Sequence, residues 1–243
     1  MTIKGLSKVY EPYCIFPAIK YLNDSPVKVF QRQYPSCHYS HQIQEFLTNH
    51  NYPSIRKGAD LPWWGKHYFS TEKGKRVFII AQDSKAQDAG SVVFFAHLLA
   101  HIHDRASYTA YNKELNLNQR FRFASWNRIK QQLSDWELDL DFVFITDASK
   151  VYEVNSDNFN KPKSRELLLQ EIEFCDPDLL ILLGGAPLSL LRKDLIYSNV
   201  VECGEFINIA GKKAAVSPFP SGNGLTQPNF ELRKQKASEL IKA

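Results

Sequence analysis

Four short apolar runs, spaced so that helical stripes fit between them, constrain this chain more than any other feature. Val77–Gln82 is one. Asp141–Asp147 and Leu179–Gly185 carry the next two, and Lys213–Val216 is a shorter fourth. Continuous rather than alternating hydrophobicity predicts strands covered on both faces. Between the runs, Ser91–His103 is apolar with small residues, and Phe123, Trp126, Ile129 and Leu133 recur at helical spacing. Ser164 stands where it can cap a helix over Arg165–Cys175, whose Leu167, Leu168 and Ile172 form one stripe. Asp176-Pro-Asp178 stops that helix, and Pro187 fits the first turn of a short one after Gly185. A turn at Gly211 folds Phe206–Ile209 back on the fourth run. Asn229 is placed to cap a closing helix with Leu232, Leu240 and Ile241. Alternating β and α segments predict a parallel sheet with helices on both faces.

The 243 residues, 44% hydrophobic and 23% charged, are enough for one large core. We expect a single domain over 1–243, with an N-terminal elaboration over 1–70 and an α/β core over 71–243. In the elaboration, Gln42–Leu47 reads as a short helix. Asp60-Leu-Pro-Trp-Trp-Gly65 reads as an ordered loop packed by its own aromatics. Net charge is only +4, which permits nucleic acid without demanding it. No apolar run approaches the roughly 20 residues of a membrane span, and nothing resembles a signal peptide. A cytoplasmic monomer is the expectation.

Cys14, Cys37, Cys175 and Cys203 lie far apart and are read as reduced, mostly buried thiols. His97, His101 and His103 have metal-like spacing but no identifiable partnering acid, so neither a metal nor any other cofactor is expected. Arg120, Arg122 and Arg128 interleave with Phe123 and Trp126 as a nucleic-acid face can, yet both aromatics fit the helical stripe. Gly184-Gly185-Ala-Pro lacks the lysine and spacing of a phosphate-binding loop.

The first run ends in Gln82-Asp83-Ser84-Lys85, with Gly90 ahead of the next helical pattern. A strand end leading to a helix N-terminus is where reacting groups gather in α/β proteins, because backbone N–H groups point outward there. Asp83 is therefore a candidate for acting on a bound ligand. The alternative is that it only caps the following helix.

Three motifs carry a family resemblance: Ala81-Gln82-Asp83-Ser84-Lys85-Ala86, Leu182-Leu-Gly-Gly-Ala186, and Ala215-Val-Ser-Pro-Phe-Pro-Ser221. Their order over about residues 75 to 230 resembles the uracil-DNA glycosylase superfamily. Members of that family carry a strand ending Gly-Gln-Asp-Pro-Tyr-His and, late in the chain, a His-Pro-Ser-Pro loop. The resemblance implies a three-layer α/β/α fold around a four-stranded parallel sheet. It implies a DNA glycosylase that cleaves the N-glycosidic bond of a flipped-out damaged or modified pyrimidine without metal.

By the same resemblance Asp83 is the carboxylate that stabilises the charged sugar and orients water. The backbone of Gln82 and Asp83 lies near the pyrimidine O2, and Phe94 or Phe95 stacks on the base. Pro218, Phe219, Ser221, Gly222 and Asn223 meet the DNA backbone, with Phe219 or Leu225 as a wedge filling the vacated stack. One of the two adjacent phenylalanines at 94 and 95 is expected to be ordinary core.

The departures point to the substrate. Ser84-Lys85 replaces Pro-Tyr, removing the aromatic gate that blocks a pyrimidine C5 substituent in the best-known branch. Lys85 either meets phosphate or, near C1′, forms a Schiff base in a lyase. Asp147 stands where that branch has asparagine. An ionised Asp accepts only, which suits an exocyclic amine such as cytosine N4; otherwise it is an exposed loop acid. The late histidine is absent, leaving Val216 or Ser217, of which only Ser217 can donate a hydrogen bond to the departing base. The target is thus uracil or a 5-substituted pyrimidine, including a bulky modified cytosine in foreign DNA. The rivals are a DNA-binding relative without turnover and an unrelated α/β hydrolase or transferase.

Overall fold

The computed structural model describes residues 1–15, 57–82, 104–114, 123–153, 158–220 and 222–243. The expected helices over 42–47 and 91–103, the histidines within the latter, and Arg120 and Arg122 lie outside the described residues. The chain begins with helix α1 (Ile3–Tyr10) and strands β1 (Cys14–Ile15), β2 (Lys57–Ala59), β3 (Trp63–Trp64) and β4 (Val77–Ala81). Helices α2 (Arg105–Glu114) and α3 (Phe123–Asp135) lead to β5 (Val143–Asp147) and β6 (Val151–Glu153). Then come α4 (Lys161–Cys175), β7 (Leu179–Leu183), α5 (Gly185–Leu191) and α6 (Tyr197–Cys203). The hairpin β8 (Ile207–Ile209) and β9 (Lys212–Ser217) precedes the closing helix α7 (Phe230–Lys242).

Among the described residues, six strands form the main sheet in the order β3-β5-β4-β7-β9-β8. The inner four, β5, β4, β7 and β9, run parallel, and each is one of the apolar runs of the sequence. The sheet is wider than the four strands expected because an antiparallel strand joins each edge. One edge strand is β8. Its two-residue turn puts Ala210 at φ 50 and Gly211 at φ 82, the pair of positive φ values that a tight hairpin turn needs. The other is β3, so Trp63 and Trp64 are a sheet edge buried against β5 rather than the self-packed loop expected of Asp60–Gly65.

Both sheet faces are covered, which explains the continuous hydrophobicity. Phe78, Ile80, Phe144, Leu180, Leu182, Ala214 and Val216 pack with Leu167, Leu168 and Ile172 of α4 and with Leu6 and Tyr10 of α1. On the opposite face Val77, Ile79, Val143, Ile145, Leu179 and Ile181 pack with Leu133 and Trp136, and with Ile241 of α7. The result is a mixed α/β structure with a mostly parallel central sheet. The N-terminal residues are part of that core and not only an addition to it. A second sheet, β1-β2-β6, is small.

Three local expectations are corrected. Helix α4 starts earlier than Arg165: Asn160 is its cap, accepting from the Lys163 N–H at 3.0 Å, with Pro162 in the first turn. Ser164 is buried inside the helix, where its Oγ accepts from the backbone N–H groups of Lys150 and Val151. Asn229 does occupy the cap position of α7, but at φ 55 its side chain makes no capping bond. Cys203 is exposed, whereas Cys175 is buried as expected.

Candidate functional site

The parallel strands end on one edge of the sheet, and their registers align four residues across it. Asp147 stands opposite Ala81, and Leu183 opposite Ser217. Ile80 pairs with Leu182, which sets Ala81 beside Leu183 in the next position. The residues two positions earlier, Ile145, Ile79, Ile181 and Ala215, all belong to the core against α3 and α7. Period-two alternation therefore turns Asp147, Ala81, Leu183 and Ser217 to that same face. Three strand spacings separate Asp147 from Ser217, roughly 14 Å. Asp147 is 3% exposed, so the reading of it as an exposed loop acid is overturned.

The chain order gives this edge a topological switch point. From β4 the chain proceeds to β5 on one side, whereas from β7 it proceeds to β9 on the other. In open α/β sheets, ligands bind in the crevice outside the carboxyl ends of such a strand pair. Here those ends are Gln82 and Gly184. Gly184 has φ 82 and ψ −173, a conformation that is essentially glycine-only, and a Cβ there would collide with the Gln82 amide. Gly184→Ala is therefore expected to cost about 1–3 kcal/mol and to displace Gln82. Urea unfolding checks the first, and an unchanged midpoint would contradict it.

Ser217 is fully buried and already engaged. Gln132 Nε2 donates to its Oγ at 2.9 Å, its own hydroxyl reaches the Pro218 carbonyl at 3.2 Å, and its carbonyl accepts from Gly184 N–H at 2.8 Å. The hydroxyl proton that the sequence reading assigned to a departing base is thus directed elsewhere. Pro218 is buried, and Phe219 is half-buried against the α3 and α7 core cluster. A Cβ on Gly224 would meet the Phe219 carbonyl, so the 3-10 turn Gly222–Thr226, which contains Asn223, folds closely under the loop. Asp83, Ser84, Lys85, Phe94, Phe95 and Ser221 lie outside the described residues. The site residues brought onto one edge are therefore Gln82, Asp147 and Ser217, with Pro218 and Phe219 following on.

Two polar groups escaped the sequence reading. Gln132, 1% exposed, occupies an apolar stripe of α3 with Ile129 and Leu133, continued just past the helix end by Trp136, at the i+3 position from Ile129. Its Oε1 is buried without a hydrogen-bond partner. Glu171 takes the equivalent position in α4 among Leu168, Ile172 and Cys175. In both cases the signal was a polar residue where helical spacing calls for an apolar one.

Glu171 belongs to a sealed network on the opposite face from Asp147. The Lys150 ammonium donates to Glu171 Oε1, to the Thr146 hydroxyl, and to the Tyr10 phenol oxygen at 2.6 Å. Tyr10 and Thr146 in turn donate to Glu171. All three ammonium protons are used. Burial raises the Glu171 carboxyl above its ordinary range, against the downward pull of Lys150. It also pushes the Tyr10 phenol well above 10.0, helped by the Glu171 charge, and does the same for Tyr68.

These phenols keep their protons in the folded state where the unfolded chain would lose them. Their contribution to stability is complete below the unfolded value of 10.0 and is lost as pH rises above it. Tyrosinate absorbance from Tyr10 and Tyr68 is expected to appear only together with alkaline unfolding. Full titration of every tyrosine in a protein still folded by circular dichroism would contradict this.

Among the described residues, no group of His, Cys, Asp and Glu is gathered as a metal site, and no helix is long and apolar enough to cross a membrane. No protein-family model matches this sequence, and no curated protein matches it either.

Proposed function

We propose that this chain is a DNA glycosylase of the uracil-DNA glycosylase type, a three-layer α/β/α domain that excises a flipped-out damaged or modified pyrimidine. The observation that carries the reading is the switch point at the ends of β4 and β7, flanked in the same row by buried Asp147. The chain leaves β4 through Gln82 directly into Asp83, the motif on which the resemblance rests.

In the reaction, the C1′–N bond breaks with its electron pair passing to the base, and a water oxygen bonds to C1′. One water proton ends on the released base, and an abasic site remains. Asp83 stabilises the positive charge that develops on the sugar and orients the water. Asp147, as a carboxylate, accepts from an exocyclic amine and so favours a cytosine-like Watson–Crick edge. Ser84-Lys85, in place of an aromatic gate, leaves room at C5. The favoured substrate is a 5-substituted cytosine, with uracil second. No cofactor takes part, and the protein works as a cytoplasmic monomer.

One observation favours a second reading. With Ser217 bonded to Gln132 and Pro218, no described side chain in the late loop is left to protonate the departing base. A DNA-binding relative without turnover has that property.

The test is a screen of single-stranded and duplex oligonucleotides holding uracil, thymine, cytosine or bulky 5-substituted cytosines. Each is incubated with the protein and then treated with alkali. Strand breaks at a modified cytosine support the glycosylase, whereas bound but unbroken DNA across the panel supports the second reading.

A further inference from the structure

We propose that the buried Lys150–Glu171 pair is a positioning device for Asp147, bolted from behind by Tyr10 of the N-terminal helix. Lys150 and Glu171 are both wholly buried. Withdrawing two charges from water is costly, and a well-packed apolar pair of the same volume is commonly as stable. Stability alone therefore gives no reason for the pair. What the pair does hold is the end of β5.

Thr146, which Lys150 and Glu171 both grip, is the residue before Asp147. Neighbouring strand residues project from opposite faces, so fixing the Thr146 side chain on the α4 face sets the pleat from which Asp147 leaves on the other. The turn that follows is held by backbone hydrogen bonds at Ala148, Lys150 and Val151. Ala148 N–H donates to the Ala81 carbonyl at 3.1 Å, and Lys150 N–H donates to Ser164 Oγ at 3.1 Å. Val151 N–H shares that hydroxyl at 2.9 Å, and the Lys150 carbonyl accepts from Asp60 N–H at 3.0 Å. These bonds tie the turn to β4, α4 and the segment after β2. A functional side chain held to the geometry its ligand needs requires this kind of supporting shell.

Tyr10 completes the network from a distance of 140 residues in sequence. It accepts from Lys150 and donates to Glu171, so it satisfies both charges at once. The N-terminal helix thereby becomes part of the site's support. The role of Asp147 in reading a base rests on the proposed function. Its immobilisation does not.

The experiment compares wild type with the charge-free double variant Lys150→Met/Glu171→Leu and with Tyr10→Phe. Hydrogen exchange is followed at the amides of Ala148 and Lys150, with Ile181 in β7 as the internal control. The double variant removes the charged partners of the buried Tyr10 and Thr146 hydroxyls, so we expect a lower urea midpoint and read exchange relative to Ile181 in the same protein. Exchange at Ala148 and Lys150 should be faster by about tenfold or more. Tyr10→Phe should show a smaller change of the same kind, and it decides the matter should the double variant not fold.

Base release by the double variant should fall about 100-fold at unchanged DNA affinity, as expected of a misplaced contact group. Unchanged exchange at Ala148 and Lys150 in a folded variant would overturn the inference. A wild type that releases no base would instead overturn the glycosylase reading, and the exchange result would still decide this one.

Discussion

Asp83→Asn is expected to lower base release by roughly 10³-fold while leaving DNA retention nearly unchanged. Asn keeps the size of the side chain and part of its hydrogen bonding, but it removes the charge that, in the proposed reaction, opposes the developing oxocarbenium ion. Charge stabilisation in a desolvated site is the larger part of such catalysis, because water is no longer present to screen it. Under the proposed function, DNA retention would rest on phosphate contacts spread over the surface, and one carboxylate at the sugar would contribute little to those. Release rates and filter retention, measured on one substrate and at one salt concentration, separate the two effects. Equal release by variant and wild type would remove Asp83 from the mechanism. It would leave Asp147, the one carboxylate in the row of described strand ends, as the next to test.

Phe144→Ala is expected to destabilise the fold by about 4 kcal/mol. Phe144 is the second residue of β5, fully buried, and stacks on Phe78 with ring centroids 4.7 Å apart. Tyr68 packs at 5.4 Å and Trp64 at 6.4 Å on the same cluster. Truncation empties a volume walled by large rings on the covered face of a central strand, where neighbours cannot collapse inward. Denaturant unfolding at fixed temperature gives the number. A loss below about 1 kcal/mol would mean that the aromatic cluster repacks freely.

The parts of the fold legible in the sequence were those in which one segment carries its own signal. The inner strands announced themselves because both faces are buried, which writes hydrophobicity at every position. Gly211 announced the hairpin, since a positive φ there needs no Cβ. Helix α1 is only eight residues long and strand β3 only two, and their place comes from partners elsewhere in the chain. Ser164 looked like a cap because hydroxyls favour helix starts, but its acceptor serves the backbone after β5 and the cap four residues earlier is Asn160.

The site was legible only along the chain and not across it. Gln82, Asp147 and Ser217 could be singled out from their strand ends. That Asp147 and Ser217 share a row and a face is a property of register, which no single strand records. Gln132 and Glu171 were visible only as polar interruptions of apolar stripes. Their meaning depends on partners 85 residues away for Gln132, and on Lys150 and Tyr10, 21 and 161 residues away, for Glu171.

Mass analysis of the products of a single turnover tests most directly whether this chain breaks an N-glycosidic bond, as proposed. Wild-type protein in excess is mixed with an oligonucleotide containing one bulky 5-substituted cytosine, and free base and strand are quantified together. We expect free base and abasic strand in equal amounts, the strand remaining whole until alkali is added. An intact oligonucleotide, recovered from protein that is folded and holding the DNA, would contradict the claim.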